Sequence, residues 1–337
     1  MKGVPRVTVC IPTYDRPRWL GRAIESVLAQ SYGDLRLEIH DDATPGPAVR
    51  DVAGGFDDPR VHLIEHAENA GIVGNFSRSL LGATTEYVLQ LGDDDMMHPD
   101  LIATTVEALD RHPSAGIAHT RFDLVGEDGA ILTGDVDWTV DGGRPPLESG
   151  TDFRRASMLY GCRVCSSTAL LRRSAVPRDA FRRQDFPPFD FACWLRMAEH
   201  WDIAFTPRAL CRYRLHTRSH SSGVADLRED AYVQRLQTLQ AVHTVKLRHI
   251  AETGAADLTR LARRGRARDL LARVRHQTVP ERPFLRTARE LARGVRVEPA
   301  LARNLEAWLL LAGSVVGSSG VARIKGARST IRPDEPA

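Results

Sequence analysis

The chain has 337 residues, of which 42% are hydrophobic and 26% charged, and its formal net charge is +3. This length and composition can build a sizeable hydrophobic core in one large or two modest domains, which indicates a soluble, globular protein. The first residues, Met1 to Pro5, lack the basic and apolar segments of a secretory signal peptide. We therefore expect a cytoplasmic protein.

The cysteines also exclude one class of protein. They are Cys10, Cys162, Cys165, Cys193 and Cys211, an odd and scattered set that does not form a disulfide framework. Cys162 and Cys165 have the spacing of a metal-binding pair, but no second Cys or His pair follows at a suitable distance. Buried thiols in strands are the preferred interpretation.

Short apolar runs alternate with helical patterns through the first half of the chain. Residues 6–11 predict a buried strand, and apolar residues spaced over 19–28 predict a helix directly after it. Further strands are predicted over 35–40, 61–65, 86–91 and 115–121, with helices near 74–83 and 99–111. This alternation predicts an α/β fold with a mostly parallel sheet flanked by helices. Ligands of such sheets bind outside the carboxyl ends of the strands.

Polar residues follow the first four predicted strands at that edge. They are Pro12, Thr13 and Tyr14 after the first strand, Asp41 and Asp42 after the second, Asn69, Gly71 and Asn75 after the third, and Asp93, Asp94 and Asp95 after the fourth. Taken without the other motifs, Tyr14 favours an aromatic residue packed in its loop, and the aspartate pair favours a turn or a helix cap. The asparagine segment also fits a turn before a capped helix.

The three consecutive aspartates at 93–95 are costly to place at one strand end, because like charges repel unless a cation or hydrogen-bond donors neutralise them. Mg²⁺ and Mn²⁺ prefer carboxylate oxygens and often share their remaining positions with substrate phosphates. The triplet therefore predicts metal-bridged phosphate chemistry. The alternative is a solvated acidic turn that caps the helix starting near Pro99.

The rest of the chain divides into segments of different character. Residues 123–146, rich in Gly, Asp and Pro, predict hairpin and loop structure that covers the cleft. Beyond Ser222 the apolar spacing becomes helical, with breaks near Pro280 and Pro283. We predict a catalytic domain over 1–222, a basic helical region over 223–330 and a flexible tail over 331–337.

Charge is distributed unevenly between these segments. Residues 1–220 carry 25 basic and 31 acidic side chains, whereas residues 221–337 carry 21 and 12. The basic helices fit solvated arginine faces, an acidic acceptor or an anionic membrane surface. A nucleic acid partner is not expected, because only three aromatic residues occur there. The apolar run at 308–316 is shorter than the roughly 20 residues of a membrane-spanning helix.

Six short motifs occur in an order that identifies a family. They are Val9 to Arg16, Asp41 to Thr44, Asn69 to Gly71 with Asn75, Gly92 to Asp95 with Pro99, Phe189 to Phe191 before Trp194 to Arg196, and Tyr213 to His216. In this order and spacing, over about residues 5–220, the chain resembles the family 2 glycosyltransferases of the GT-A fold, a Rossmann-like α/β fold.

The resemblance implies which residues bind a nucleotide-sugar donor. The loop of Pro12, Thr13 and Tyr14 would hold the base, Asp42 or its neighbour Asp41 would accept from a base N–H, and Asp93 would lie beside the ribose. Asn69, Gly71 and Asn75 would approach the ribose or phosphates, and Arg214 the pyrophosphate.

The metal and the catalytic base are also implied by the resemblance. Asp94 takes the position of the metal ligand, Asp95 is a second or outer ligand, and His216 is a further candidate for a divalent metal, Mn²⁺ or Mg²⁺. The usual family motif has an acid where this chain has Gly92. Asp190 takes the position of the catalytic base, with Asp185 as the other candidate and a helix N-cap as the structural alternative for Asp190.

These features together predict an inverting, metal-dependent glycosyltransferase that uses a UDP- or dTDP-sugar. A cell-envelope glycan or a lipid-linked acceptor is expected, with peripheral contact to an anionic membrane at its inner face. A soluble natural product as the acceptor, or an inactive GT-A module that only binds, are the alternatives. A nucleotidyltransferase is disfavoured, because residues 12–20 offer no glycine cluster for a triphosphate.

Overall fold

The computed structural model describes residues 4–137, 143–216 and 229–277. By its internal contacts the chain divides into a unit of Met1–Thr253 and a unit of Gly254–Ala337. The boundary predicted at 222 lies outside the described residues, as do the tail at 331–337, the apolar run at 308–316 and the breaks at Pro280 and Pro283. The division into domains therefore stays a prediction.

Strands and helices alternate through the first unit. The strands are β1 (Val7–Thr13), β2 (Leu35–Asp41), β3 (Val61–Glu65), β4 (Tyr87–Gln90), β5 (Met96–Met97), β6 (Ala115–Val125), β7 (Ile131–Val136), β8 (Leu147–Glu148), β9 (Leu170–Arg172) and β10 (Asp202–Arg214). The helices are α1 (Pro17–Leu28), α2 (Ala48–Gly54), α3 (Gly71–Gly82), α4 (Leu101–Arg111), α5 (Gly150–Tyr160), α6 (Phe189–Met197) and α7 (Glu229–Thr253). In the second unit, the described part is mainly α8 (Leu258–Gln277). No helix of the described residues has the length and apolar character needed to span a membrane.

The strands form one sheet in the order β3-β2-β1-β4-β9-β6-β10-β5, with β7 paired to β6 and β8 to β10. Strands β3, β2, β1 and β4 are parallel, and so are β6 and β10. Between these two groups lies β9, which is antiparallel to both of its neighbours. The predicted mostly parallel α/β sheet is confirmed.

Two apolar cores cover the two faces of the sheet. Residues of α1, α2 and α4 pack with Val9 and Ile11 of β1 on one face. Residues of α3, α5 and α6 pack with Cys10 and Val88 on the other. Strand β1 is buried along its whole length, which explains why its sequence is a continuous apolar run rather than an alternating one.

The observed strands and helices differ from the predicted ones where contacts distant in sequence determine the structure. Strand β6 continues to Val125, which is fully buried, so the first residues of the predicted loop region at 123–146 belong to the core. The hairpin predicted there is present as β6 and β7. Helices α2 and α5 and the short strand β9 were not predicted.

Candidate functional site at the carboxyl ends of the strands

The loop after β1 joins the first strand to the acidic triplet. Thr13 is buried, and its hydroxyl donates to Asp93 Oδ2 at 2.7 Å. The neighbouring Tyr14 is 44% exposed, so its ring is not packed into the loop and presents a face to a ligand. Pro12 is buried at the end of the strand. The loop thus combines a fixed backbone with an accessible aromatic ring.

The aspartate pair after β2 is held by internal hydrogen bonds. Asp41 Oδ1 accepts from the Thr44 backbone N–H at 3.2 Å and from the Thr44 hydroxyl, and Thr44 Oγ1 in turn accepts from the Asp15 N–H at 2.9 Å. These contacts form the turn that was the alternative reading of Asp41, and they link the loops after β1 and β2. Asp42 is almost fully buried, and its Oδ1 accepts from Arg78 and from the Ala70 N–H.

The asparagines at the start of α3 play different parts. Asn75 is buried and donates to the carbonyls of Thr13 at 3.3 Å and His40 at 3.0 Å, so it ties α3 to the ends of β1 and β2. Asn69 is exposed, and its Oδ1 accepts from the Gly71 N–H at 2.8 Å, which forms a turn before the helix. Gly71 has φ of +73°, a conformation that favours glycine.

The three aspartates after β4 point in different directions. Asp95 is buried, with Oδ1 accepting from the Arg214 N–H at 2.9 Å and Oδ2 from the Ser167 hydroxyl. Asp93 faces Thr13, and Asp94 Oδ2 lies 2.7 Å from His216 Nε2. None of the three caps the next helix, whose N-cap is Asp100. The capping alternative for the triplet is therefore wrong.

Gly92 is explained by its neighbours. A Cβ atom at this position would lie 2.9 Å from Asp94 Oδ1 and from Asp95 Oδ2, so an acid there would require these carboxylates to move. The chain keeps its acidic character in the three residues that follow instead.

The pKa values of two carboxyl groups in the triplet are raised. Burial, and then the neighbouring charge of Asp94, raise the pKa of Asp93 to about 7, and the same two causes raise the pKa of Asp95 well above its ordinary range. Arg16 offsets part of this charge, because its Nη1 lies 3.6 Å from Asp93 Oδ1 and 3.7 Å from Asp94 Oδ2.

His216 and Arg214 meet the triplet from the end of β10. The His216 ring is buried against Trp19, with ring centroids 4.5 Å apart, and this contact directs Nε2 at Asp94. Arg214 donates from Nε to the Asp94 carbonyl at 2.9 Å and from Nη1 to the carbonyls of Gly126 and Glu127. In this arrangement Arg214 holds the acidic loop in place, and its predicted role at the pyrophosphate stays a prediction.

Asp190 and Asp185 occupy contrasting environments. Asp185 is 1% exposed and forms ion pairs with Arg196 at 3.0 Å and with Arg248 of α7. Asp190 is only partly buried, and its Oδ1 accepts from the N–H of Phe191 at 2.7 Å. Pro188 is the N-cap of α6, so the capping alternative for Asp190 is wrong. The geometry favours Asp190 over Asp185 as a proton acceptor.

The pKa of the Cys165 thiol depends on carboxylates of both groups. Burial raises the pKa of its thiol well above the ordinary range, and the negative charges of Asp95 and of Asp190 both add to that increase. The thiol therefore lies within electrostatic reach of both carboxylates.

The residues present fit a hard divalent cation. Asp94 and His216 offer a carboxylate oxygen and an imidazole nitrogen 2.7 Å apart, and Asp93 adds a second carboxylate nearby. Burial is the main cause of the raised pKa of Asp93, and the neighbouring charge of Asp94 adds to it, so a bound cation would favour the ionised form of this carboxyl. Oxygen-rich sets of this kind suit Mg²⁺ and Mn²⁺.

Sequence reasoning did not assign several of these residues. Arg16, Trp19, Thr44, Arg78 and Ser167 each hold a predicted site residue in place. The one available signal was Arg16, a basic residue that directly follows the loop at an otherwise acidic sheet edge.

Comparison with known proteins identifies similar sequences. The family model for glycosyl transferase family 2 matches residues 8–176. The putative glycosyltransferase EpsE of Bacillus subtilis (strain 168) is 30% identical over 210 residues, which are 59% of this chain and 69% of that protein. The succinoglycan biosynthesis protein ExoO of Rhizobium meliloti (strain 1021) is 32% identical over 129 residues, 38% of this chain and 36% of that protein.

One relative is much longer than this chain. The uncharacterized protein y4gI of Sinorhizobium fredii (strain NBRC 101917 / NGR234) is 33% identical over 193 residues, 54% of this chain. The match spans only 20% of the length of y4gI.

Two solved structures share the fold. A mannosyltransferase from Pyrobaculum calidifontis in complex with GDP-Man and Mn²⁺ superposes with a TM-score of 0.51 at 17% identity, covering 93% of this chain and 88% of that one. S. aureus TarS 1-349 in complex with UDP-GlcNAc gives a TM-score of 0.53 at 13% identity, covering 98% and 94%. At these identities the likeness concerns the fold alone.

Proposed function

The chain belongs to glycosyltransferase family 2, and on that basis we propose that it moves a sugar from a nucleoside-diphosphate donor to an acceptor hydroxyl with inversion at the anomeric carbon. The observation that carries this proposal is the arrangement of Asp93, Asp94 and His216 beside the loop of Thr13 and Tyr14, at the carboxyl ends of the strands. Ligands of such sheets bind at this edge.

The donor end of the site is supported by the loops after β1 and β2. Tyr14 offers an exposed ring for stacking on a base, and Asp41 and Asp42 offer carboxylate oxygens for a base N–H. Asn69 and Gly71 are exposed, and we propose that they contact the ribose or phosphates. The internal hydrogen bonds of Asn75 keep these loops in one arrangement before a donor arrives.

The metal end of the site is formed by Asp94 and His216, with Asp93 beside them and Asp95 as a buried support. A bound divalent cation, Mn²⁺ or Mg²⁺, would offset the negative charge on the departing nucleoside diphosphate. Arg16 and Thr13 hold the carboxylates in place, and Arg214 fixes the backbone that presents Asp94.

Asp190 is the proposed catalytic base. It would accept the proton of the acceptor hydroxyl as that oxygen attacks the anomeric carbon on the face opposite the leaving diphosphate. Burial raises its pKa to about 6, which makes the carboxylate more basic than an exposed aspartate while leaving it ionised at neutral pH. Attack opposite the leaving group produces inversion.

The proposals for the donor and the acceptor rest on the similar proteins. The solved relatives bind GDP-Man and UDP-GlcNAc, so a UDP- or dTDP-sugar stays one proposal among nucleoside diphosphates. The name of ExoO refers to succinoglycan biosynthesis, which supports a cell-envelope polysaccharide or glycolipid as the product. Peripheral contact with an anionic membrane belongs to the same proposal.

A thermal-stability screen tests the proposal. The protein is titrated with UDP, dTDP, GDP and ADP, each with and without Mn²⁺, and the same series is repeated with Asp94→Asn. We expect one nucleoside diphosphate to raise the melting temperature in a Mn²⁺-dependent manner, and Asp94→Asn to remove the Mn²⁺ dependence. No stabilisation by any pair would contradict the proposal. A mass-spectrometric screen with sugar nucleotides then identifies the donor.

A further inference from the structure

A second group of metal-binding side chains lies on the face of the sheet beneath α3. Cys10 of β1 and Glu38 and His40 of β2 are 0%, 8% and 4% exposed, and their ligand atoms all lie within 4.8 Å of one another. The buried face of an α/β sheet is ordinarily apolar, because unpaired polar groups are costly there. Here the Cys10 thiol donates to the Ser79 carbonyl at 3.4 Å, and the Glu38 carboxylate lies 3.3 Å from the His40 imidazole.

The strand register explains how these residues meet. Cys10 lies directly opposite Glu38 in the parallel pair of β1 and β2, and successive residues of a strand alternate between faces, so Glu38 and His40 share the face of Cys10. On the outer side, Glu38 lies opposite His62 of β3, an exposed residue. The row of the sheet that carries the cluster therefore continues to an exposed residue on the neighbouring strand.

We propose that Cys10, Glu38 and His40 bind a zinc ion. Zn²⁺ takes cysteine sulfur, histidine nitrogen and carboxylate oxygen together, whereas a thiolate is a poor ligand for the hard cations Mg²⁺ and Ca²⁺. When the ion binds, the Cys10 thiol loses its proton to solvent, and a thiolate–zinc bond replaces the S–H bond. The two negative charges of the thiolate and carboxylate then balance the dication, and the buried group becomes neutral as a whole.

Neighbouring side chains hold two of the three ligands in a suitable orientation. His40 Nδ1 lies 3.2 Å from His66 Nε2, so a proton on Nδ1 can be donated to His66 and leaves the lone pair of Nε2 for the metal. Arg36 contacts Glu38 Oε1 at 3.0 Å, while Oε2 is the oxygen that faces His40 at 3.3 Å. Metal-binding histidines ordinarily have an outer partner of this kind.

The site is separate in chemistry from the acidic triplet. The triplet offers Asp93 and Asp94 with His216, a mainly oxygen set, whereas the second cluster includes a thiol. It lies next to the donor loops, since Cys10 is three residues before Thr13 and His40 directly precedes Asp41. Zinc bound there would join β1 to β2 immediately below the residues proposed to hold the nucleotide.

The first experiment uses the wild-type chain. The protein is stripped with a chelator, supplied with Zn²⁺ or Co²⁺, freed of excess ion and analysed for bound metal, melting temperature and visible absorption. We expect one zinc ion per chain, a higher melting temperature and, with Co²⁺, a thiolate charge-transfer band. Absence of retained zinc together with absence of that band would overturn the proposal, because a metal-free hydrogen-bonded network shows neither.

Variants then assign the ligands. Cys10→Ser and His40→Gln are expected to lose the retained zinc, and Cys10→Ser also the charge-transfer band, whereas His66→Ala is expected to weaken zinc binding by about 10- to 100-fold. Cys193→Ser, at another buried thiol, and Asp94→Asn, at the other metal site, should both keep one zinc ion per chain. Circular dichroism verifies that each variant is folded. Zinc retained by folded Cys10→Ser and His40→Gln would place the ion elsewhere and overturn the assignment.

Discussion

Two regions of the molecule, the end of β4 and the start of α6, each contain one buried aspartate and one more accessible aspartate. Asp95 is buried by Ser167 and the backbone of Arg214, while Asp94 turns toward His216. Asp185 is likewise buried, here by two arginines, while Asp190 keeps partial exposure. In both regions the buried carboxylate fixes the local backbone that presents the accessible one.

The two regions differ in how their charge is neutralised. Asp185 has two guanidinium partners, so its region carries no excess of negative charge. The triplet has three carboxylates, and the contacts of the Arg16 guanidinium with two of them, at 3.6 and 3.7 Å, are long for an ion pair, while the Arg214 guanidinium donates to backbone carbonyls. The first arrangement suits a lone ionisable acid, and the second suits a bound cation. Variants of each aspartate test this distinction.

The largest effect is expected at the proposed base. Asp190→Asn removes the proton acceptor but keeps the size of the side chain, so kcat should fall by about 10²- to 10⁴-fold while donor binding is unchanged. Steady-state kinetics and a donor titration measure the two quantities. Asp179→Asn is the control, because its carboxylate is exposed and forms only a surface ion pair. A variant with full activity at position 190 would remove Asp190 from the mechanism.

A smaller effect on turnover is expected at the proposed metal ligand. Asp94→Asn lowers the negative charge of the triplet, and we expect kcat to fall by about 10²- to 10³-fold and nucleoside diphosphate binding to become insensitive to Mn²⁺. Calorimetric titration with and without Mn²⁺ measures the dependence. Asp100→Asn, an exposed carboxylate paired with Arg208, is the control that should keep it. An unchanged Mn²⁺ response in Asp94→Asn would move the cation away from the triplet.

Removal of a buried support should act on stability. Asp185→Asn leaves Arg196 and Arg248 without their shared carboxylate, which is expected to lower the free energy of unfolding by about 3 kcal/mol. Urea denaturation measures this value. Glu252→Gln breaks an exposed pair with Arg182 and should cost less than about 1 kcal/mol. If the two variants lose equal stability, the ion pairs of Asp185 do not support the fold as inferred.

The sequence predicts the regions whose pattern is local. Strand β1 is a continuous apolar run and α1 follows with apolar residues on one face, so both are found within about two residues of their true ends. Strand β9 is only three residues long, and its place is set by pairing with β4 and β6, which no local pattern encodes. Helix α5 begins with a capping serine at Ser149 but lacks a strong apolar repeat.

The residues of the candidate site also differ in whether the local sequence predicts them. The acidic triplet and the loop of Thr13 and Tyr14 are readable because the residues are consecutive and follow strands. The choice between Asp185 and Asp190 cannot be predicted from the local sequence, because it depends on Arg248, which lies 63 residues after Asp185 in the chain. The contact of Arg16 with Asp93 has the same character, because it joins the ends of two different strands.

The smallest of the expected effects is a pH dependence that distinguishes the lone acid from the triplet. Burial raises the pKa of Asp190 to about 6. Below that pH the base is protonated, so kcat/KM should fall tenfold for each pH unit. A rate profile from about pH 4.5 to about pH 8 at saturating Mn²⁺ measures this dependence.

Stability should change with pH in the opposite direction. Because folding raises the pKa of Asp190 above its ordinary value of 3.8, the ionised form disfavours the folded chain, and this cost appears as the pH rises through about 6. Asp190→Asn should therefore stabilise the chain by about 2 kcal/mol at pH 7 and by almost nothing at pH 4. Urea denaturation at the two pH values compares them. Equal changes at both values would show that Asp190 does not titrate near 6, and the acid limb of the rate profile would then belong to another group.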